Sequence, residues 1–363
     1  MRILTISNTP HDPSQGSGYV ITGYVEGLRE RGHSVDAYGP EDWLWWDVRR
    51  ARRYLYPLMI ASFGLQAYRR KPYDLIELWG GVTWLLAILL RWTKGENATI
   101  VHHSNGIEQH RVVVQRQSSA ADAQLERWFQ WDLSWFYDRG LEAADAIVTV
   151  SKYDLPFLKN KRYIPQKRIY TIPNPLPNFF LGQNVQWDRP RRVGFCGNWN
   201  SIKNIRLLRN DLPLFLRDHP EWSFSVMGVG DTEVKSDFPE DVRPQIEVIP
   251  FLKREKLVDW YHSLAIFTLP SIYESFGLVM AEAMACGVAL VATRVGFASG
   301  LTDGEEAYVL SKKTSPHLKE ALETLAEDEK RRRQMARGGY ERVQELRWET
   351  ATRKLDNIYR NIT

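Results

Sequence analysis

The chain reads as an α/β protein of two domains, each a parallel sheet wound with helices. Three observations predict this. Its 363 residues suffice for two domains that each bury a core of their own. Apolar runs of strand length alternate with segments of helical period, the pattern of repeated strand–helix–strand units. Near the middle, Ile169–Pro177 carries three prolines and leads into the polar stretch 181–188, a stiff connector between domains. The boundaries that follow are 1–175 and 185–344, with a last helical stretch, about 345–363, beyond the second domain.

The first domain opens on strand Ile3–Ile6, followed by a loop from Ser7 that ends in Gly16, Ser17 and Gly18. A helix then sets Val20, Ile21, Tyr24, Val25 and Leu28 on one face and stops at Gly32, before strand Ser34–Tyr38. A glycine-bearing loop opening a helix suits an anion, because unpaired N–H groups and the helix dipole converge there. Gly16 and Gly18 fit the first two places of the dinucleotide fingerprint G-x-G-x-x-G, but Ile21 takes the third and the loop is long. This weakens a nicotinamide-dehydrogenase reading, and a plain turn is the other alternative.

Trp43 to Lys71 interleaves aromatic residues (Trp43, Trp45, Trp46, Tyr54, Tyr56, Phe63) with basic ones (Arg49, Arg50, Arg52, Arg53, Arg69, Arg70, Lys71). Such a segment suits an anionic membrane surface, with stems and rings at the interface. The alternative is a pair of ordinary helices with a solvated basic face. Two further strands are expected at 73–78 and 98–101. After the second, His102, His103, Ser104, Asn105, Gly106 and Glu108 form a polar cluster at a strand's carboxyl end, where open α/β sheets bind ligands. His110 is read as structural. Strand 144–150 and the proline-rich run complete the domain.

The second domain begins with strand Arg192–Gly197 and a loop bearing Asn198 and Lys203. Strand 222–227 ends in a glycine turn. Strand Ile246–Ile249 exits through Phe251 and Leu252. Strand Ala265–Leu269 leads into the most informative segment, residues 270–287, with Glu274 in a loop and Glu282 in a helix over Leu278–Cys286 that Gly287 closes. Strand Val288–Thr293 follows. Glu282 is the only charged residue of an apolar helix, where an unpaired carboxylate is costly to bury. It therefore needs partners: a ligand with two adjacent hydroxyls, or an internal arginine. A turn and strand at 303–309, a charged helical stretch from His317 and an amphipathic one from Trp348 to Tyr359 end the chain. Arg331, Arg332 and Arg333 are expected on a solvated face.

Composition excludes several classes. Formal charge is +4 and gives no argument for nucleic acid; 44% hydrophobic content is ordinary for a globular protein. The two cysteines, Cys196 and Cys286, lack metal-ligand spacing, so a reducing compartment fits and a disulfide framework does not. No signal peptide is apparent at the N-terminus. The longest apolar run, Val82–Leu90, falls short of the roughly 20 residues that span a bilayer. The expected place is the cytoplasm, or the inner face of the cell membrane as a peripheral protein.

Glu274 and Glu282, with Phe276-Gly277-Leu278 between them, resemble the E-x7-E signature of retaining glycosyltransferases of family four, and the resemblance covers nearly the whole chain. It implies the GT-B fold, two Rossmann-like domains facing a central cleft. The first domain would bind the acceptor and the second the nucleotide sugar, with the last helix packing back on the first domain. Glu282 would grip the donor ribose. Glu274 and the N–H groups of Phe276, Gly277 and Leu278 would hold the transferred sugar. The loop of Gly16, Ser17 and Gly18 would close over the donor phosphates, Lys203 would neutralise them, and the exit loop of Phe251 and Leu252 would face the base. Two departures stand out. Asn105 occupies the family's histidine place, which leaves His102, His103 or Asn105 to face the sugar. Asn198 replaces an arginine, giving a neutral hydrogen bond roughly half as strong as a charge-assisted one.

The resemblance implies a metal-independent hexosyltransferase that uses a UDP-sugar or GDP-mannose and a lipid-linked or glycan acceptor, with retained anomeric configuration. There is no Asp-x-Asp to hold a metal, so the leaving diphosphate would rest on Lys203 and helix N-termini. The nucleotide sugar is a co-substrate, and no cofactor is expected. A sugar-nucleotide epimerase and a non-catalytic sugar-nucleotide binding protein are the alternatives.

Overall fold

The protein is described by a computed structural model over all residues except 14–15, 45–51, 94–97, 119–122, 162–167, 231–233, 253 and 312. Two compact units divide it: Met1–Pro175 with Trp348–Thr363, and Leu176–Arg347.

In the first unit, six parallel strands are ordered β2-β1-β3-β4-β5-β6: β1 Arg2–Ser7, β2 Ser34–Tyr38, β3 Leu75–Trp79, β4 Thr99–Ser104, β5 Ala146–Thr149 and β6 Ile169–Thr171. The central strands β3 and β4 lie buried nearly throughout, as sheets covered on both faces require. Crossover helices join them: α1 Gly16–Glu30, α2 Pro40–Trp43, α3 Arg52–Arg70, α4 Trp84–Thr93, α5 Glu108–Ser118, α6 Ala123–Ala143 and α7 Leu155–Lys159. At the end of α1, Gly32 takes φ 86°. Its N–H bonds to the Arg29 carbonyl and that of His33 to the Leu28 carbonyl, a Schellman closure that glycine favours.

Three sequence expectations change here. The helix α1 starts at Gly16 rather than after Gly18, so Gly16, Ser17 and Gly18 form its first turn. The preceding loop crosses that turn so closely that a Cβ on Gly18 would lie 2.4 Å from the Asp12 carbonyl oxygen and 2.6 Å from that of Pro10. Strand β4 runs on through His102, His103 and Ser104, which are therefore sheet residues. And much of the Trp43–Lys71 segment feeds the core. The Trp43 indole is fully buried, donates to the Ser7 carbonyl (3.1 Å) and meets the Tyr56 ring edge-on. Phe63 packs on Tyr38, and Lys71 pairs with Asp36. Tyr54, Leu58, Arg69 and Arg70 are exposed. Trp45, Trp46, Arg49 and Arg50 lie outside the described residues.

The second unit repeats the architecture with order β12-β11-β10-β7-β8-β9: β7 Arg192–Cys196, β8 Ser223–Met227, β9 Ile246–Ile249, β10 Ile266–Leu269, β11 Ala289–Thr293 and β12 Tyr308–Leu310. Its helices are α8 Ile205–Asp218, α9 Arg254–His262, α10 Leu278–Ala285, α11 His317–Glu327 and α12 Glu329–Val343. Phe195, Phe215, Phe224 and Phe267 are fully buried in its core. Arg332 departs from the expected solvated face. It is buried, lies over the Trp222 ring and donates to the Leu325 carbonyl (2.6 Å), so its flat guanidinium covers an aromatic face instead of meeting water.

The last helix, α13 (Trp348–Ile362), belongs to the first unit. Arg31 and His33 both donate to Asp356 over 2.9 Å. Deeper in, the Tyr359 hydroxyl donates to Glu77, a fully buried carboxylate on β3 that also accepts from Thr5 (2.9 Å) and His103 (3.0 Å). Burial pushes the Glu77 carboxyl up, but bonds from His103 and Tyr359 outweigh it and hold it below the usual range. A carboxylate in a core needs such partners.

Candidate active site

At the carboxyl end of β10, residues 270–277 form a loop fastened at several points. The Ile272 N–H bonds to the Ile202 carbonyl, and its own carbonyl accepts from Lys313 Nζ, both over 2.8 Å. Thr293 donates to the Ser271 carbonyl, and the Phe297 N–H to that of Phe276 (2.7 Å). Gly296 takes φ 53°, and a Cβ there would fall 2.5 Å from the Phe276 carbonyl oxygen and 2.8 Å from Glu274 Cβ. Only glycine lets these segments approach so closely. A loop tied in this way gives its side chains a fixed place, which electrostatic preorganisation requires.

Within this frame the structure brings Lys203 and Glu274 together. Lys203 Nζ donates to Glu274 Oε1 over 2.5 Å, and the Ser271 hydroxyl donates to the same oxygen over 2.7 Å. Both partners are largely shielded, with side chains 18% and 11% exposed, so the pair is screened less than a surface ion pair. Lys203 reaches Glu274 along the backbone of Gly197, whose φ of 144° favours glycine and whose added Cβ would sit 3.1 Å from Lys203 Cε. Asn198 is exposed next to this turn.

Gly277, at φ 82°, turns the chain into α10, where no side chain caps the first turn and the Met280 N–H bonds back to the Gly277 carbonyl (2.9 Å). Phe276 is buried against Phe297, and Gly277 and Leu278 line the turn. About one turn along the same helix, Glu282 is buried and accepts from the Tyr261 hydroxyl over 3.1 Å. Gly287 closes the helix at φ 73°. Beyond β9, Leu252 is half-buried and Phe251 is 76% exposed, an aromatic face open to a planar ligand.

Ser271, Gly197, Gly296, Lys313 and Tyr261 had no role in the sequence reading. The glycines carry a signal only through their backbone angles, and Tyr261 and Lys313 lie far along the chain from the residues they touch.

Among the first-unit candidates, Asn105 is half-buried at the turn after β4, where the Gly106 N–H bonds to Ser104 Oγ (3.0 Å). Glu108 accepts from the Gly81 N–H (2.9 Å), fastening the ends of β3 and β4. His110 bonds to Asp154 (2.7 Å) and stacks on Phe157, a structural role. His103 is committed to Glu77 and stacks on Trp79. His102 is buried, and burial, with the neighbouring His103, pushes its pKa down to about 4. It is neutral near pH 7 and brings no charge to a ligand. A histidine whose folded pKa is depressed binds fewer protons than the unfolded chain below about pH 6.5, so folding weakens as the pH falls toward 4. We expect His102 to account for about 2 kcal/mol of the stability lost between pH 7 and pH 5. His102→Leu should flatten that part of the loss in urea melts at the two pH values.

The two parallel six-stranded sheets define the GT-B fold. Sucrose-phosphate synthase from Thermosynechococcus elongatus superposes with a TM-score of 0.80 at 20% identity, covering 100% of this chain and 99% of that one. HepE from Anabaena in complex with UDP-glucose gives 0.71 at 14% identity, covering 99% and 100%. The model of the "Glycosyl transferase 4-like domain" matches residues 15–175, and that of "Glycosyl transferases group 1" matches 190–328. The chain belongs to the group 1 glycosyltransferases of family four, which transfer sugar from a nucleotide sugar. The D-inositol 3-phosphate glycosyltransferase of Corynebacterium glutamicum is 25% identical over 337 residues, 84% of this chain and 77% of that relative. The enzyme of that name from Corynebacterium diphtheriae is 36% identical over 106 residues, a match that covers 29% of this chain and only 25% of the relative's own length.

Proposed function

We propose that this chain is a retaining, metal-independent hexosyltransferase whose donor is a UDP-sugar, with GDP-mannose as the second candidate. The observation that carries the reading is the Lys203–Glu274–Ser271 constellation with Glu282 eight residues along, in a fastened loop and the helix it opens. In this reading Glu282 takes the ribose hydroxyls and Phe251 and Leu252 face the base. Glu274 and the N–H groups of Phe276, Gly277 and Leu278 hold the sugar. Lys203 and Asn198 receive the diphosphate on the second unit, and the first turn of α1 at Gly16, Ser17 and Gly18 is an anion site of the first. Asn105 and His102 are assigned to the sugar on the first unit, the acceptor-binding one.

The chemistry is a front-face substitution. The bond from the anomeric carbon to the diphosphate oxygen breaks, and the acceptor oxygen bonds to the same face. The acceptor proton leaves with the diphosphate. Negative charge grows on the leaving oxygen, so a fixed cation there lowers the barrier. Before donor binds, Glu274 neutralises Lys203; a diphosphate would draw the ammonium away and free the carboxylate for the sugar.

A lipid-linked or glycan acceptor is proposed, with docking on an anionic membrane inside the cell through the exposed residues of the Trp43–Lys71 segment. Trp43 is buried and Tyr56 half-buried, so among the described residues that docking falls to Tyr54, Leu58, Arg69 and Arg70. No described helix is long and apolar enough to cross a membrane. The names of the curated relatives favour a second reading, a small phosphorylated polyol as acceptor.

Thermal unfolding with UDP, GDP, ADP and their sugar conjugates, in EDTA, tests the donor assignment. At about a hundred times its Kd, the right nucleotide adds roughly 2.7 kcal/mol and raises the transition by several degrees. We expect UDP to do so without metal. No shift from any nucleotide would contradict the reading. A shift without sugar transfer to any acceptor would favour a binding protein, and a changed sugar nucleotide without acceptor an epimerase.

A further inference from the structure

Glu282 sits in an apolar helix, and one of its partners comes from outside the 270–287 segment. Tyr261, fully buried near the end of α9, donates its hydroxyl to Glu282 Oε2 over 3.1 Å. The Tyr261 ring is held in place by Trp260, Phe267 and Phe180, with centroids at 5.0, 5.8 and 6.1 Å. Burial first, then the Glu282 charge, pushes the phenol well above its ordinary range, so it remains a donor at any working pH. The same two causes push up the thiols of Cys196 and Cys286, which leaves Glu282 among groups that keep their protons.

We propose that Tyr261 is a positioning residue for Glu282 and thereby sets the selectivity of the donor site for ribose hydroxyls. The inference rests on the ribose role proposed for Glu282. A glutamate has three rotatable side-chain bonds, and a carboxylate free to turn would meet a vicinal diol in the right plane only part of the time. A ring-locked hydroxyl on Oε2 fixes that plane. A carboxylate accepts about four hydrogen bonds, so one from Tyr261 leaves capacity for two from a diol. Preorganising a recognition group strengthens binding by removing the cost of ordering it.

The test compares UDP with 2′-deoxy-UDP and 3′-deoxy-UDP by calorimetric titration. The parent should prefer UDP by at least about tenfold, because each deoxy analogue leaves a built acceptor unmet. Tyr261→Phe keeps the ring and removes only the hydroxyl. It should lose most of that preference: UDP weakens about tenfold, the deoxy analogues change less than about twofold, and kcat at saturating donor holds. Phe267→Leu loosens the same aromatic cluster without touching the hydroxyl and should keep the preference. It therefore separates positioning from packing even where Tyr261→Phe melts at a lower temperature. The inference is overturned if Tyr261→Phe keeps the parent's preference. It is overturned equally if that variant weakens all three ligands by one factor, or if Phe267→Leu loses the preference as fully. A parent that binds UDP no better than the deoxy analogues removes the ribose assignment itself, and this inference with it.

Discussion

Glu274→Ala should slow sugar transfer by about a hundredfold to a thousandfold and leave UDP affinity within about threefold of the parent. The carboxylate belongs to the sugar end of the site. Ser271 and Lys203 both donate to its Oε1, and the loop that carries it is fastened through Ile272, Phe276 and Gly296. Removing it leaves the loop's backbone bonds in place, so the effect falls on chemistry rather than on folding. Lys203 loses its counter-charge in the same step, which favours a diphosphate as its new partner and argues against any large fall in nucleotide binding. Steady-state kinetics with saturating and limiting donor separate the two quantities. An equal fall in UDP affinity would place Glu274 on the nucleotide instead.

Glu282→Ala should have the opposite signature, a UDP Kd raised by about tenfold to a hundredfold with kcat at saturation little changed. Alanine also removes the acceptor of a fully buried hydroxyl, that of Tyr261, which costs about 1–3 kcal/mol of stability. Glu282→Gln is the cleaner variant. Its amide oxygen still accepts from Tyr261 while the charge is gone, and a neutral acceptor is roughly half as strong toward a ribose hydroxyl. Urea unfolding should place Glu282→Gln near the parent and Glu282→Ala below it.

The central strands were legible because a parallel sheet covered on both faces needs continuous apolar runs, and 146–149, 266–269 and 289–293 supply them. The eight-residue spacing of Glu274 and Glu282, and the helix closed at Gly287, were legible because each lies within one local segment. What escaped depends on distant contacts. Nothing near Gly18 announces that the Pro10–Asp12 backbone lies across it, so the start of α1 was placed too late. His102 and His103 look like loop residues by type. Yet Glu77, two strand positions before Trp79, supplies a buried partner for His103 and lets β4 continue. Arg332 looked solvated until Trp222, more than a hundred residues earlier, came to lie under it. Trp43 looked like an interfacial anchor, but the Ser7 carbonyl satisfies its indole in the core. Tyr261 carried no signal at all, because a tyrosine on the buried side of a largely polar helix resembles any other core residue.

The central claim divides the site between two carboxylates, one for the nucleotide and one for the sugar. Parallel calorimetric titrations of UDP into the parent, Glu274→Ala and Glu282→Gln test it most directly. The account predicts strong binding to the first two and an affinity about tenfold weaker for the third. Equal affinity in all three, or loss of binding in Glu274→Ala alone, would contradict it.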